Sequence, residues 1–430
     1  MTTHPDSTIA PSSAAAWERA KKSIGGGVSS GLRAAMKPYP IFVDRAEGAV
    51  MRDIDGRGYI DYIGGWGPMV LGHSHPGVLA AVREVLPRMQ MPGTGHVLEY
   101  EAAEAVLAAV PGAERLLWSN TGTEAVQIAL RLARAWTARN RIVKFVHAYH
   151  GWHDTVLASV AFHTTGERAT PNTRGQNPRA IEDLIVLPFN DTEAVRLTLA
   201  GAESLDIAAV LIDPILNSGG GVEPDPEFLQ TLRASCAEHG VVLVFDEVVS
   251  GFRVARGGAS ERWGVTPDLW AMGKAIANGF SQSAVLGRAA LIDQVMDGVV
   301  HAGTYNGNPV ALAAVKATMA AQAEPGAYEG LERLSQRLRW GLADLFERLG
   351  VPLRAHGVAS VVGISPTGRG SEEDLGRLTV ELVRRGVLMI SRGEMFVSMA
   401  HSEEQIDATI TAFEEACVAA GLTVGPPQAP

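Results

Sequence analysis

The sequence predicts an α/β protein in which a large, mostly parallel sheet is joined to a smaller α+β domain. Between about residues 115 and 286, short β-rich apolar runs alternate with segments whose apolar residues recur at a period near 3.6. This alternation is typical of strand–helix–strand units. After about residue 321, amphipathic helical patterns accompany only two short strand-like runs. Of the 430 residues, 46% are hydrophobic and 20% charged, which is sufficient for a large core.

The strands of the large sheet are predicted from short apolar runs, as expected of strands covered on both faces. These runs are residues 115–119, 142–146, 208–212, 241–245 and 284–287. A helix is predicted over residues 123–137, because its apolar residues share one face. That face comprises Ala125, Ile128, Ala129, Leu132, Ala133 and Trp136.

The smaller domain is predicted from helices over residues 330–348, 372–385 and 407–420 and from strands over 361–364 and 395–399. Glu324-Pro325-Gly326 forms a break near the start of this predicted domain. We therefore predict a large domain over residues 73–320 and a small domain over 321–430. Residues 1–72 match neither pattern and are predicted to form a separate N-terminal segment.

Composition and charge limit the classes of partner. The chain has 37 Lys and Arg against 47 Asp and Glu, a net charge of −10, and no basic cluster, so no nucleic-acid partner is expected. Two cysteines, Cys236 and Cys417, are too few for a disulfide framework or a zinc cluster. Residues 1–15 lack the pattern of a signal peptide, and no apolar run reaches the ~18 residues that cross a membrane. We expect a cytoplasmic protein with no membrane partner.

Chemistry-bearing side chains follow the predicted strands, where open α/β sheets bind their ligands. Asp246 comes directly after the run 241–245, and Lys274 lies in the apolar, small-residue stretch 271–279. A carboxylate at this place can keep a ring nitrogen protonated. A buried lysine with a lowered pKa can attack an aldehyde to form a Schiff base. Taken singly, each residue also fits a structural ion pair.

Two further segments suit a planar, anionic cofactor. The turn Ser119-Asn120-Thr121-Gly122-Thr123 leads from a strand into a helix and exposes backbone N–H groups to an anion, although an ordinary N-cap explains the turn better when it is taken singly. Tyr149 follows the strand 142–146 and is suited to stacking on a ring. His147, His150 and His153 lack the Cys or Glu that would complete a metal site, so no metal is predicted.

Together, an anion-binding turn, an aromatic ring, a strand-end Asp and a Gly-flanked Lys are what a pyridoxal phosphate enzyme needs. No G-x-G-x-x-G follows a strand, which argues against a nicotinamide cofactor. Segments 119–125, 149–151, 244–253 (VFDEVVSGFR), 273–279 and 302–309 (AGTYNGNP) closely resemble class III aminotransferases of fold type I. The resemblance extends over about residues 24–421. Segments 66–73 and 149–154 are similar to the glutamate-1-semialdehyde aminomutase and D-phenylglycine aminotransferase subgroup.

The resemblance implies pyridoxal 5′-phosphate as cofactor and a role for each matched residue. Lys274 would carry the cofactor and move protons, Asp246 would pair with the ring nitrogen, and Tyr149 would stack on the ring. Thr304 would reach the phosphate of the neighbouring subunit, which implies a homodimer with composite active sites. Residues 1–72 would contribute to the small domain and to the active-site entrance. The implied cofactor-binding set is Thr121, Gly122, Thr123, Tyr149, His150, Asp246, Lys274 and Thr304.

The chain departs from the family pattern at two places. The family usually has Glu-Pro where this chain has Asp213-Pro214, so the role of that glutamate is in doubt for the shorter carboxylate. The aminomutases also have a glutamate upstream of Ser-Leu-Ala-His. An ungapped alignment puts Gly393 at that position, between Arg392 and Glu394. Arg-Gly at this place resembles the aromatic D-amino acid and β-amino acid aminotransferases.

The predicted reaction transfers an amino group between an amino acid and a 2-oxo acid. An aminomutase, a racemase or epimerase of the same fold, and a non-catalytic binding protein are the alternatives. Arg33 matches the carboxylate-binding arginine of the aminomutase subgroup, and Arg392 is a second candidate, because arginine binds carboxylates in a bidentate manner. Both also fit as surface residues. Trp66 is predicted to wall the substrate pocket and to favour an aromatic or bulky substrate, unless it is a core residue.

Overall fold

A computed structural model of the protein describes residues 9–160 and 169–423. The chain divides into two compact units. Unit 1 comprises Met1–His75 and Glu329–Pro430, and unit 2 comprises Pro76–Tyr328. Residues 9–75 and 329–423 therefore belong to the same unit, although unit 2 lies between them in the sequence.

The N-terminal part of unit 1 is a short antiparallel meander that the sequence patterns did not reveal. Its elements are helices α1 (Pro11–Ala20) and α2 (Gly31–Ala34) and strands β1 (Val43–Glu47), β2 (Val50–Asp53) and β3 (Gly58–Asp61). The β2–β3 turn is closed by Asp53, whose Oδ1 accepts the N–H groups of Asp55 and Arg57 at 3.0 and 2.9 Å. These strands are short and partly polar, so they lack the apolar runs from which the strands of the large sheet are predicted.

Unit 2 is built on a seven-stranded sheet in the order β4-β10-β9-β8-β7-β5-β6. Its strands are β4 (Arg115–Ser119), β5 (Arg141–Phe145), β6 (Leu184–Leu187), β7 (Ile207–Ile212), β8 (Val242–Glu247), β9 (Leu269–Met272) and β10 (Ser283–Gly287). The ladders from β6 to β9 are parallel. Strand β10 runs antiparallel to β4 and β9, since the connection from β9 is too short for a parallel crossover.

Helices cover this sheet. They are α3 (Pro76–Val85), α4 (Val97–Leu107), α5 (Gly122–Thr137), α6 (Thr192–Ala200), α7 (Pro226–Glu238), α8 (Gly258–Trp263), α9 (Ala289–Ile292) and α10 (Pro309–Gln322). The predicted apolar face of α5 is buried as far as Ala133. The prediction for Trp136 was wrong, because the ring is 47% exposed. It lies in the last turn of α5, where the guanidinium of Arg288 sits 5.7 Å from the ring centroid.

The C-terminal part contains α11 (Ala327–Leu349), β11 (Leu353–Val358), β12 (Val361–Pro366), α12 (Glu372–Arg384), β13 (Val387–Leu388), β14 (Glu394–Phe396) and α13 (Glu403–Ala419). Strands β11, β12 and β14 form an antiparallel sheet, and β13 extends the N-terminal meander by pairing in parallel with β3. Helix α13 begins four residues before the predicted start, because Ser402 and Gln405 form a capping box. Within the described residues, no helix combines the length and apolarity that a membrane crossing requires.

Strand register in unit 2 brings the candidate residues to one edge of the sheet. Ile212 pairs with Phe245, so Asp213, directly after β7, lies beside Asp246, the last residue but one of β8. Glu247 pairs with Met272, which places the start of the Lys274 turn at the same edge. The carboxyl end of β5, which continues into Tyr149 and His150, also opens there. Parallel strands thus gather side chains that are far apart in sequence.

Candidate active site

Asp246 is a buried carboxylate whose two oxygens are both engaged. Its side chain is 6% exposed. Oδ1 accepts the Val248 N–H at 3.1 Å, and Oδ2 lies 2.7 Å from Nδ1 of His150, which donates to it. Burial lowers the pKa of His150, and the hydrogen bond to Asp246 and the charge of that carboxylate oppose the shift. The Nε2 atom of His150 is buried and has no hydrogen-bond partner among the described residues.

The turn into α5 is both a helix cap and an open set of donors. Thr121 Oγ1 accepts the Glu124 N–H at 3.2 Å, and Glu124 Oε2 accepts the N–H groups of Asn120 and Thr121. The N–H groups of Gly122 and Thr123 have no acceptor within the helix, as at any helix start. A Cβ at Gly122 would lie 2.8 Å from the Val248 methyl groups. The N-cap and the anion-binding interpretation of this turn are therefore compatible.

The segment after β5 packs against the same turn. Gly151 has φ +96°, and a Cβ there would lie 2.6 Å from Thr123 Oγ1, so only glycine permits the close approach. Tyr149 is 38% exposed, which leaves part of the ring open to a ligand. Burial raises the pKa of the Tyr149 hydroxyl, and the charge of Asp246 raises it further.

Lys274 begins a single 3₁₀ turn, Lys274–Ala277, directly after β9. Its backbone is left-handed, with φ +46°. Ala275, Ile276 and Ala277 are fully buried, but Lys274 itself is only partly buried. The expectation of a deeply buried lysine was therefore wrong for Lys274, because the turn directs the apolar residues inward and leaves the lysine at the sheet edge.

Asp213, the shorter carboxylate that replaces the usual glutamate, caps the loop that follows β7. Its Oδ1 accepts the Ile215 N–H at 3.3 Å and its Oδ2 accepts the Asn217 N–H at 2.8 Å. Burial raises the pKa of Asp213 to about 7, and the charge of Asp246 acts in the same direction. The two backbone N–H groups and the charge of Lys274 oppose this shift.

Sequence reasoning missed one charged residue beside this site. Lys144 lies in β5 and is 0% exposed, and it is therefore more deeply buried than Lys274. A signal was present, since Lys144 interrupts an otherwise apolar strand run. Within the described part of the chain, no group of three His, Cys, Asp or Glu side chains is arranged to hold a metal ion.

Thr304 lies in an exposed turn between β10 and α10. Two residues further on, Asn306 Oδ1 accepts a hydrogen bond of 2.9 Å from Asn120 Nδ2. The turn that carries Thr304 is thereby attached to the turn that starts α5.

The three predicted substrate residues all belong to unit 1. Arg33 and Trp66 line a cavity of about 370 Å³ together with Lys37 and mostly apolar side chains. The loop before Trp66 is held by Asp61, whose oxygens accept the N–H groups of Ile63 and Gly64 at 2.8 and 3.1 Å. Trp66 has φ +71°.

Arg392 is engaged by its neighbour. Its Nη2 lies 2.8 Å from Glu394 Oε1, and its guanidinium carbon is 6.0 Å from the Trp66 ring centroid. The Glu394 side chain is 6% exposed. Gly393 between them has φ +97°, and a Cβ there would overlap the carbonyl oxygen of Ile364. No side chain fits at position 393 without a backbone shift.

Comparison with known proteins assigns the family. The sequence profile described as aminotransferase class-III matches residues 32–417. This chain belongs to the class-III aminotransferase family. It is 41% identical over 415 residues to a protein of Brevibacillus brevis named glutamate-1-semialdehyde 2,1-aminomutase 2, and the match covers 92% of this chain and 96% of that protein.

Solved structures of similar proteins confirm the predicted fold class. An omega-transaminase from Sphaerobacter thermophilus superposes with a TM-score of 0.89 and 32% identity, covering 95% of this chain and 98% of that one. A beta-phenylalanine aminotransferase from Variovorax paradoxus gives a TM-score of 0.86 and 28% identity, covering 96% and 95%. The protein is therefore an enzyme of the pyridoxal phosphate-dependent class-III type with the fold type I architecture.

The residues of unit 2 fit this coenzyme. The helix start of α5 offers N–H donors where a phosphate would bind. The buried Asp246 carboxylate, fixed by His150 and Val248, is suited to a protonated pyridine nitrogen. The close packing at Gly122 and Gly151 brings the helix start and the Tyr149 segment together.

Proposed function

We propose that this class-III enzyme transfers an amino group from an amino acid to a 2-oxo acid. The proposal rests on one observation, the lack of space for a side chain at position 393. The aminomutases that the sequence resembles have a glutamate there, whereas Gly393 has no room for a side chain. The carboxylate at the next position, Glu394, is buried and paired with Arg392 at 2.8 Å. A reaction that depends on a free glutamate at this place is therefore not favoured.

The proposed roles follow from the positions at the sheet edge. Pyridoxal phosphate supplies an aldehyde and a protonated ring that stabilises negative charge on the carbon next to the amine. Lys274 would provide the amine that binds the aldehyde and would carry a proton at Nζ. Asp246 would keep the ring nitrogen protonated, and Tyr149 would cover one face of the ring. The N–H groups of Gly122 and Thr123, the Thr121 turn and a partner subunit's copy of the Thr304 turn would bind the phosphate.

The cavity of unit 1 supports a proposal for the substrate. It combines Arg33 and Lys37 with an apolar lining that includes Trp66, Phe42 and Leu388. A carboxylate next to a bulky or aromatic side chain matches this combination of charge and apolar surface. We therefore propose an aromatic or bulky amino acid, in the α- or β-series and of either configuration, as the amino donor.

One observation favours a second candidate, the 2,1-aminomutase reaction. The curated relative from Brevibacillus brevis, at 41% identity, is named as such an enzyme. The two solved structures named above, a transaminase and a β-amino acid aminotransferase, support the first candidate instead.

A donor panel distinguishes the candidates. The purified holoenzyme is incubated with both enantiomers of aromatic α- and β-amino acids, with matched amines that lack the carboxylate, and with glutamate-1-semialdehyde. A 2-oxo acid acceptor is present or omitted. We expect turnover of at least one aromatic amino acid that stops when the acceptor is omitted. Turnover of glutamate-1-semialdehyde alone, with or without acceptor, would replace the proposal by the aminomutase reaction.

The site assignment is tested by reducing the holoenzyme with borohydride and mapping the pyridoxyl-labelled peptide. The label is expected on Lys274, which follows β9 at the edge shared with Asp246. Label on Lys144 or Lys316 would overturn the assignment.

A further inference from the structure

Lys144 is a second lysine beside the candidate site, and its side chain is enclosed by backbone carbonyl groups. Its Nζ lies 2.9 Å from the oxygen of Ala148, 3.1 Å from that of Val156 and 2.5 Å from that of Ala158. Three acceptors around one nitrogen require three N–H donors. The ammonium form has three donors and the neutral amine has two, so the geometry is that of a buried cation.

All three carbonyl groups belong to one segment, residues 148–158, which continues from the end of β5. Tyr149 and His150 lie at its start. The far side of the segment is attached through Gln176, whose Nε2 donates to the carbonyls of Asp154 and Leu157 at 2.8 and 2.7 Å. Lys144 therefore ties the beginning and the end of the segment together from the sheet side.

The charge of Lys144 is also placed next to the His150–Asp246 pair. Burial lowers the pKa of Lys144 to about 7, and the Asp246 carboxylate opposes that shift. Lys144 in turn lowers the pKa of His150, as burial does. A cation at this place favours the neutral imidazole that donates to Asp246.

We propose that Lys144 is a positioning residue for the coenzyme ring, whose ammonium group fixes the segment 148–158 and thereby the places of Tyr149 and His150. The inference rests on the coenzyme roles proposed above for these two residues. It assigns no contact between Lys144 and the coenzyme, and it differs from the role of Lys274, which would be covalent.

The first test uses the enzyme without coenzyme. Lys144→Met removes the three donors and the charge but keeps an unbranched side chain. Lys316→Met is the matched control, since Lys316 also lies in unit 2 but is 52% exposed and pairs with Glu101 at 2.6 Å. Amide hydrogen exchange is measured by mass spectrometry. We expect exchange over residues 148–158 to become at least ten-fold faster in Lys144→Met, with no change in the α5 peptides and no change in Lys316→Met.

The second test measures the dissociation constant of pyridoxal phosphate and the steady-state parameters. In Lys144→Met the dissociation constant is expected to rise at least ten-fold. The value of kcat is expected to fall, and KM for the amino donor is expected to change by a smaller factor. If a folded Lys144→Met variant keeps both exchange and coenzyme affinity within two-fold of the wild type, the proposal is wrong, even if its Tm falls.

If Lys144→Met does not fold, the same comparison is made with Lys144→Gln, which retains two N–H donors. Faster exchange than in the wild type supports the proposal, and equal exchange overturns it. Because the exchange experiment needs no substrate, it is independent of the proposed reaction. Faster exchange in an enzyme that fails to transfer amino groups would refute the proposed function and leave the role of Lys144 supported.

Discussion

His150 donates its Nδ1 hydrogen to Asp246 Oδ2 over 2.7 Å, in a place where neither side chain is more than 6% exposed. The other oxygen of Asp246 receives the Val248 N–H. Burial lowers the pKa of His150, although the Asp246 carboxylate opposes that shift, so burial favours the neutral imidazole that donates to Asp246. Asp246 is thus held in a fixed orientation by two donors, as pairing with a protonated ring nitrogen requires.

Replacement of Asp246 tests this relationship. In Asp246→Asn the amide can still accept from Val248 and occupy the same space, so we expect the coenzyme to remain bound. It cannot balance a positive ring nitrogen, and kcat should fall by about 100-fold or more, as on loss of other preorganised electrostatic partners. The matched control is Asp191→Asn, where asparagine caps α6 as well as aspartate does. A wild-type kcat in Asp246→Asn would contradict the assignment.

Arg33 is expected to recognise the substrate carboxylate. In Arg33→Ala, kcat/KM for amino acids should fall by roughly 30- to 1,000-fold, since loss of one partner of a charge-assisted pair costs ~2–4 kcal/mol. The matched amine without a carboxylate should change little. Arg392→Ala should have the smaller effect, because Arg392 is already paired with Glu394.

The control for these variants is Arg45→Ala, since Arg45 is 77% exposed in the same unit and contacts only its neighbour Asp44 among the ion pairs of the described residues. If Arg392→Ala causes the larger fall in kcat/KM for amino acids, Arg392 and not Arg33 binds the substrate carboxylate. If neither variant separates amino acids from amines, carboxylate recognition by these arginines is refuted and an amine transaminase is the better description.

The buried carboxyl group of Asp213 predicts a pH dependence of stability. Burial raises its pKa from 3.8 to about 7. Between these values the folded protein retains a proton that the unfolded chain has released, so this contribution to the free energy of unfolding decreases as pH rises. The free energy of unfolding of the wild type minus that of Asp213→Asn should therefore become smaller, or more negative, by about 1 kcal/mol per pH unit from pH 5 to 7.

Urea unfolding at a series of pH values measures this difference, with Asp297→Asn at an exposed position as the control. If the wild-type value minus the variant value stays constant from pH 5 to 7, or rises with pH, Asp213 does not titrate in this range as proposed.

The turn that carries Thr304 predicts a composite site. Sedimentation should give a homodimer. Thr304→Ala should weaken coenzyme binding by about 10-fold, because a hydroxyl bond to a charged phosphate is lost, and should leave the dimer intact. Thr411→Ala serves as the control, since Thr411 is an exposed residue of α13 whose hydroxyl donates to the Asp407 carbonyl in the same helix. An active monomer would remove the basis for this role.

The edge of the sheet was the most predictable part of the site. Asp246 and Lys274 lie at the ends of strands formed by apolar runs, and parallel strands end at a common edge whatever lies between them. Thr121 and Glu124 likewise form a cap that their spacing indicates, since Ser/Thr-x-x-Glu is a local pattern.

The less predictable features depend on chain segments that return from a distance. The His150–Asp246 bond joins residues 96 positions apart, and the burial of Lys144 depends on the path of residues 148–158. The strands β1 to β3 have partly polar sequences, so pairing and not periodicity defines them. Trp136 was misassigned because helical periodicity does not indicate where a helix leaves the core.

Transfer of a nitrogen isotope tests the central claim most directly. The holoenzyme is given the best ¹⁵N-labelled amino acid donor and an unlabelled 2-oxo acid, and products are analysed by mass spectrometry. Amino transfer predicts that the amino acid formed from the acceptor carries ¹⁵N and that an equal amount of the donor's oxo acid appears. Label that stays with the donor skeleton, through a shift of the amine or loss of configuration without any labelled second product, would contradict the claim.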